Sequence, residues 1–264
     1  MTWILLTNDD GIDARSLPPL ARALGELAET RVVVPDVERS WIGKAITRYD
    51  PVTITPTTVD GVAMHSCSGY PADCVQLGVN TMFDEPPALV VSGINLGYNH
   101  GSAYLQSSGT VGAALEATLS GVDGLALSTG VDGNFHEWRE WALSDDSLPM
   151  WERLAAIAVE LADGMLAAGR QDITLSVNLP DDADRTTERR LTTVADTGYD
   201  RLFRREDEHT YVHDYRGGLH HRSVVEGTDI AAAADGVIAI TPVRTVSGID
   251  LPAALSPLLT PRDL

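Results

Sequence analysis

Short, fully apolar runs alternate with longer segments of helical spacing along the first two thirds of the chain. Residues 3–7, Trp-Ile-Leu-Leu-Thr, read as a short buried strand. Leu17, Leu20, Ala21, Leu24 and Leu27 recur every three or four positions, which predicts a helix over 16–27. A second strand is expected over 31–35, ended by Pro35. Residues 52–55 and 62–66 alternate around Asp60-Gly61, a hairpin signal. Pro71 opens a helix running toward Met82, as suits proline in a first turn. A third apolar strand is expected over 88–92, then a glycine- and polar-rich loop over 93–109, an alanine-rich helix over 110–119 and a fourth strand over 125–128. Residues 130–149 read as a polar surface insertion carrying Trp138 and Trp141, followed by a helix over 151–168 and a strand over 173–179 closed by Pro180.

Continuous apolar strands alternating with helices are the pattern of a parallel sheet covered on both faces. The expected fold is therefore α/β, a Rossmann-like, mostly parallel sheet. The character changes after 180. Residues 181–226 are rich in charge, and "HTYVHDYRGGLHHRSVV" alternates as a long hairpin turning at Gly217-Gly218. A helical turn over 228–234 and a last strand over 237–241 complete the reading. Two parts follow: a core over 1–180, and a C-terminal region over 181–264 with an extended hairpin and a returning strand.

Composition narrows the partners. Of 264 residues, 44% are hydrophobic and 22% charged, ordinary for a soluble globular chain with a sizeable core. No apolar run approaches a membrane span, and no basic stretch precedes the first strand as a secretory signal requires. Cys67 and Cys74 fit neither a disulfide framework nor a zinc site, so a reducing cytoplasm is the expected location. The net charge of −19 argues against nucleic-acid or anionic-membrane partners. Lys44 is the only lysine, and the carboxylate-rich balance resembles proteins of salt-loving cells.

The candidate chemistry starts where the first strand ends, in Asn8-Asp9-Asp10-Gly11. Adjacent ionised carboxylates repel unless a cation or a shared proton compensates them. If the first strand lies between the second and third, the loops carrying Asp9 and Asp10, Arg39-Ser40 and Gly93-Ile94-Asn95 share one sheet edge. Strand spacing of ~4.8 Å lets their side chains converge on one ion. Carboxylate, hydroxyl and amide oxygens prefer a hard cation such as Mg²⁺, Mn²⁺ or Ca²⁺. The plainer alternative is that the aspartates cap the turn at Gly11. Ser108-Gly109-Thr110 opens a helix, where free N–H groups favour an anion such as phosphate, although an ordinary serine cap would look the same. Lys44 is four residues past Ser40 and reads either as a phosphate contact or as a solvated loop lysine.

The motifs "ILLTNDDG", "PDVERS", "YPADCVQLGVN", "VVSGINLGYN", "SGTVGAALE", "VNLP" and "TDIAAAADGVIAITPV" closely resemble those of the SurE family, the stationary-phase survival nucleotidases. The resemblance runs from residue 4 to about 243. It implies a divalent-metal-dependent phosphatase acting on nucleoside 5′- and 3′-monophosphates, sometimes on short polyphosphate. By motif, Asp9, Asp10, Ser40 and Asn95 would hold one Mg²⁺ or Mn²⁺ per subunit, with Asp9 taking the proton from an attacking water. Asn99, Ser108, Gly109 and Thr110 would line the phosphate pocket. Family members are homodimers or homotetramers, assembled partly through the C-terminal hairpin. The chain departs from the family pattern at Trp41, where many members have a small residue, and at Lys44. A phosphorylation receiver domain is disfavoured, because Ser92-Gly93-Ile94-Asn95 has no acceptor aspartate; a non-catalytic nucleotide-binding module on the same scaffold is the alternative.

The charge balance generates the first prediction. In molar salt the Debye length falls to ~3 Å and self-repulsion is screened. Thermal melting and phosphatase assays from dilute buffer to molar KCl are expected to show melting temperature and activity rising together; a flat or falling profile would assign the acidic surface another cause.

Overall fold

In a computed structural model, residues 2–131, 133–215, 219–223, 225–246 and 250 are described. The apolar run Trp3–Thr7 forms a strand, β1, buried from end to end. Its side chains divide between two layers: Ile4 and Leu6 join one core cluster, Trp3 and Leu5 the other. That division is why the run is continuous rather than alternating.

The chain continues through α1 (Leu17–Leu27), β2 (Glu29–Pro35), β3 (Ile54–Val59), β4 (Val62–Cys67), α2 (Pro71–Asn80), β5 (Leu89–Leu96), α3 (Gly101–Ser107), α4 (Gly109–Leu119), β6 (Gly124–Gly130), α5 (Phe135–Ala142), α6 (Leu148–Ala168) and β7 (Thr174–Pro180). Beyond lie β8 (Arg189–Leu191), β9 (Asp196–Tyr199), β10 (Phe203–Arg205), β11 (Tyr211–His213), β12 (Leu219–Ser223), α7 (Asp229–Ala234) and β13 (Ile238–Val243). A nine-stranded sheet runs β3-β4-β2-β1-β5-β6-β7-β13-β8. The strands from β4 to β7 in this order are parallel, while β3 and β13 pair antiparallel with their inner neighbours β4 and β7. Leu20 and Leu24 of α1 and Leu154 and Ile157 of α6 cover one face; Cys74 and Val75 of α2 and Ala113 and Ala117 of α4 cover the other. The expected α/β architecture is present, with helices on both faces. The chain beyond 180 returns to this sheet through β8 and β13, and its remaining strands stand outside it.

Four local differences have physical causes. β5 runs on to Leu96 instead of ending at Ser92, because its register against β6 shifts between Ser92 and Asn95 and then resumes. Only glycine fits at the shift: Gly93 has φ +127°, and a Cβ there would sit 2.3 Å from Leu127 O. The expected loop over 93–109 contains α3, a short helix held by tertiary bonds. Ser102 N–H donates to Ala195 O at 2.8 Å and Ala103 N–H to Thr197 Oγ1 at 3.1 Å. The expected polar insertion contains α5, which buries Trp138 and Ala142 on one side.

The fourth is a correction to the hairpin. An extended C-terminal ribbon exists, but β11 pairs with β10 and β12 with β9, so the ribbon turns at 206–210. Asp207 sets that turn by accepting the His209 and Thr210 N–H groups, each at 2.8 Å. The turn expected at Gly217-Gly218 lies outside the described residues.

Candidate active site

The register of β1 between β2 and β5 brings three loops together beyond its carboxyl end, where open parallel sheets bind ligands. Asn8 closes the first loop: its Nδ2 donates to Gly11 O at 2.9 Å and its Oδ1 accepts the Gly11 N–H at 3.2 Å. Arg39 N–H donates to the Asp9 carbonyl at 2.7 Å, which ties the second loop to the first.

Asp9 is only 3% exposed. Its Oδ1 accepts the Thr110 hydroxyl at the start of α4. A Cβ on Gly109 would lie 2.8 Å from Asp9 Oδ2 and 3.2 Å from Arg39 O, so glycine is what lets the helix close on the carboxylate. Asp10 is half-buried and turns to the third loop, where its Oδ2 accepts the Leu96 N–H at 3.2 Å. Burial pushes the Asp9 carboxyl up to about 6, against the lowering effect of the Thr110 donors. Burial, and then the charge of Asp9, push Asp10 well above the usual carboxylate range. Glu38 adds repulsion to both, and Arg139 of α5 is the cation that opposes it at Asp10.

The two remaining expected ligands are each one residue from a bond to the pair, Ser40 after Arg39 and Asn95 before Leu96. Asn95 Nδ2 donates to Gly97 O at 2.7 Å, which leaves its Oδ1 as an acceptor. Ser40 is exposed, and its hydroxyl donates to Glu38 Oε1 at 2.6 Å, a bond that leaves the oxygen lone pairs for another partner. Among the described residues no three His, Cys, Asp or Glu side chains surround one ion position. A cation here would therefore rest on the two aspartates completed by amide and hydroxyl oxygen. That donor set fits a hard divalent ion, and such an ion would remove the repulsion that burial imposes on Asp9 and Asp10.

Beside Asp10 opens a cavity of about 330 Å³, lined among others by Arg15, Glu38, Leu96, Arg139 and Leu143. Helix α5 forms one wall. Trp138 anchors it by donating its indole N–H to Asp181 Oδ2 at 2.8 Å, and Phe135 packs over Gly97. Arg15 latches the residues that follow, bonding Leu143 O at 3.2 Å and Asp145 Oδ1 at 2.9 Å.

The family model for survival protein SurE matches residues 4–201. The chain belongs to the SurE family. A 5′-nucleotidase SurE from Methanopyrus kandleri is 37% identical over 254 residues, covering 95% of this chain and 94% of the relative. One from Geotalea uraniireducens is 36% identical over 91% of this chain and 92% of its own. The crystal structure of the SurE protein from Aquifex aeolicus superposes with a TM-score of 0.72 at 27% identity, covering 97% of this chain and 98% of that one.

The other residues that the SurE motifs single out have local partners in this chain. Asn99 is buried; its N–H donates to Asn178 Oδ1 at 2.8 Å and its Nδ2 to Ser128 Oγ at 2.7 Å, which fixes the third loop to the ends of β6 and β7. Ser108 caps α4 by accepting the Val111 N–H at 3.1 Å. Asp229, in the motif that opens α7, accepts N–H groups from Gly101 and Ala195 and so holds α3 beside the ribbon. Trp41, at φ 63°, packs its ring on Tyr104, Tyr199, His213 and Tyr215 at centroid distances of 5.0–6.1 Å, joining the second loop to the ribbon. Lys44 also has a partner in this chain. Its ammonium pairs with the buried carboxylate of Glu116, which also accepts from Gln76. Glu116 is seven residues past Gly109, about 10 Å along the helix.

Glu38, Phe135 and Arg139 were not foreseen. The signal for α5 was present in Asn134, which accepts the Glu137 N–H as a cap, followed by Phe135, Trp138 and Ala142 on one face.

Two outcomes are expected. The folded-state value of Asp9, about 6 against 3.8, means the native protein holds that proton more tightly than the unfolded chain. Below 3.8 both states are protonated and stability is undiminished; as pH rises through 6 about 2–3 kcal/mol is lost, at ~1.36 kcal/mol per unit. Metal-free melting temperature should fall from pH 4 to 7 in the wild type and fall less in Asp9→Asn; parallel curves would refute the assignment. Lys44→Ala should lose about 1–3 kcal/mol in denaturant unfolding, because Glu116 is left buried and unpaired, and Lys44→Ala with Glu116→Gln should recover part of it.

Proposed function

We propose that the chain is a phosphoric monoester hydrolase that converts nucleoside 5′- and 3′-monophosphates to nucleoside and phosphate with a divalent metal ion. The observation that carries the reading is the closure of α4 on the Asp9-Asp10 pair, which joins a hard-cation donor set to the N-terminus of a helix in a SurE-family chain. Two relatives similar over nearly their whole length bear the name 5′-nucleotidase SurE.

Asp9, Asp10, Ser40 and Asn95 would hold Mg²⁺ or Mn²⁺. When bound, such an ion polarises the phosphoryl group and lowers the pKa of water. The chain's own groups do the rest. Asp10, which faces the cavity, is better situated than the buried Asp9 to take the proton from the attacking water. Asp9 keeps α4 aimed at the site through Thr110. Donors at the start of α4, with Asn99 and Ser108 behind them, would meet charge on the phosphoryl oxygens. The Ser40 hydroxyl donates to Glu38 in the second loop, but Ser40 is assigned to the metal, so the attacking group in this proposal is water. The ribbon, held to the site through Trp41, is the element expected to assemble a homodimer or homotetramer. No described helix is long and apolar enough to cross a membrane, and a cytoplasmic enzyme acting on a small molecule is consistent with the acidic surface.

Phosphate release from a panel of nucleoside monophosphates with Mg²⁺ or Mn²⁺ tests the reading. Wild type is expected to turn over, Asp10→Asn to lose at least about 100-fold, and solvent ¹⁸O to enter phosphate in a single turnover. No release from any monoester would overturn the function; a trapped phosphorylated aspartate would overturn direct attack.

A further inference from the structure

Anions crowd this site. Asp9, Asp10 and Glu38 repel one another, and Asp13 and Asp36 line the same cavity. A phosphate monoester, itself a dianion near neutral pH, enters such a place only if a cation meets it. Arg15 and Arg139 are the cationic side chains lining the cavity. Arg15 is committed, with Nε on Leu143 O and Nη1 on Asp145.

Arg139 differs. Its nearest acidic partner is Glu38 Oε2 at 3.7 Å, beyond hydrogen-bond reach, and that carboxylate is itself half-exposed and accepts from Ser40. No N–H of the guanidinium donates to a described residue, and the side chain is 41% exposed at the cavity wall. The backbone beneath it is held: the neighbouring Trp138 is buried and bonded to Asp181, and the Arg15 latch secures the end of α5. A planar fork of donors on an anchored helix, facing the carboxylate edge without a bonded partner, suits the oxygens of a phosphoryl group.

The geometry points to Arg139 as a substrate-binding residue that grips the phosphoryl group of the monoester from the α5 side of the cavity that Asp10 lines. The inference rests on the phosphatase reading and extends it to a residue in the insertion. Glu38 holds the guanidinium loosely until the phosphate replaces it, an exchange that substitutes a bidentate charge-assisted contact for a long ion pair.

Inorganic phosphate is the probe. Its affinity is measured by calorimetry, with Mn²⁺ present, for wild type, Arg139→Met and Arg139→Lys. The methionine keeps the apolar stem on the helix and guards against a folding defect. Phosphate affinity is expected to fall at least about ten-fold in Arg139→Met and less in Arg139→Lys, and kcat/KM to fall by a similar factor for a nucleotide and for p-nitrophenyl phosphate. Added guanidinium ion should restore part of the Arg139→Met activity, which a structural role would not allow. Unchanged phosphate affinity in Arg139→Met, or no phosphate binding by wild type, overturns the inference whatever the turnover. A loss confined to the nucleotide also overturns it, since it would assign Arg139 to the nucleoside. The phosphatase reading is judged separately, by wild-type turnover alone.

Discussion

Two adjacent carboxylates at the buried end of β1 are the constraint around which the rest of the site is arranged. Holding Asp9 and Asp10 in a low-dielectric edge raises both pKa values, and each neighbouring element answers that cost differently. α4 answers with the Thr110 hydroxyl, and can do so only because Gly109 lacks a Cβ. β5 answers with the Leu96 N–H, delivered after the register shift at Gly93. The second loop is tied in through Arg39 N–H. What these bonds do not neutralise is what the proposed cation would take up.

The same arrangement separates two roles that look equivalent in the chain. In the bend past β1, Asp9 goes under α4 and is sealed, while Asp10 lines the cavity beside α5. One carboxylate is enclosed by the start of α4 and the other lines open volume. Lys44 and Glu116 show a parallel economy of charge in the core: in a chain with net charge −19, one lysine is held against one buried glutamate. Family membership narrows what such a site does, yet function rests on these contacts and not on the fold that carries them.

Around this centre the chain adds two outward elements. α5 brings Phe135 and Arg139 over the third loop and the carboxylate edge. The ribbon carries His213 and Tyr215 back onto Trp41, one residue past Ser40. Both reach the loops that hold the candidate ligands, so substitutions in either can act on the site without touching a phosphate.

That β1 lies between β2 and β5 entered from the sequence only as a condition and was decided by the sheet order. Apolar run length and helical spacing determined, from sequence alone, the parallel α/β class and the order of its strands and helices. Those features are local in periodicity and strand burial, and periodicity is what a sequence displays. The SurE motifs added the expected chemistry. Tertiary structure alone decided the rest. α3 is helical because Ala195 and Thr197, nearly a hundred residues away, supply its bonding partners. The ribbon turns at Asp207, because alternation marks strands but not their pairing. Lys44 went to Glu116 because a carboxylate buried on α4 needs a counter-charge, and its burial depends on how helices pack. Arg139 reached the cavity because Trp138 buries, which turns an apparently polar insertion into a wall of the site.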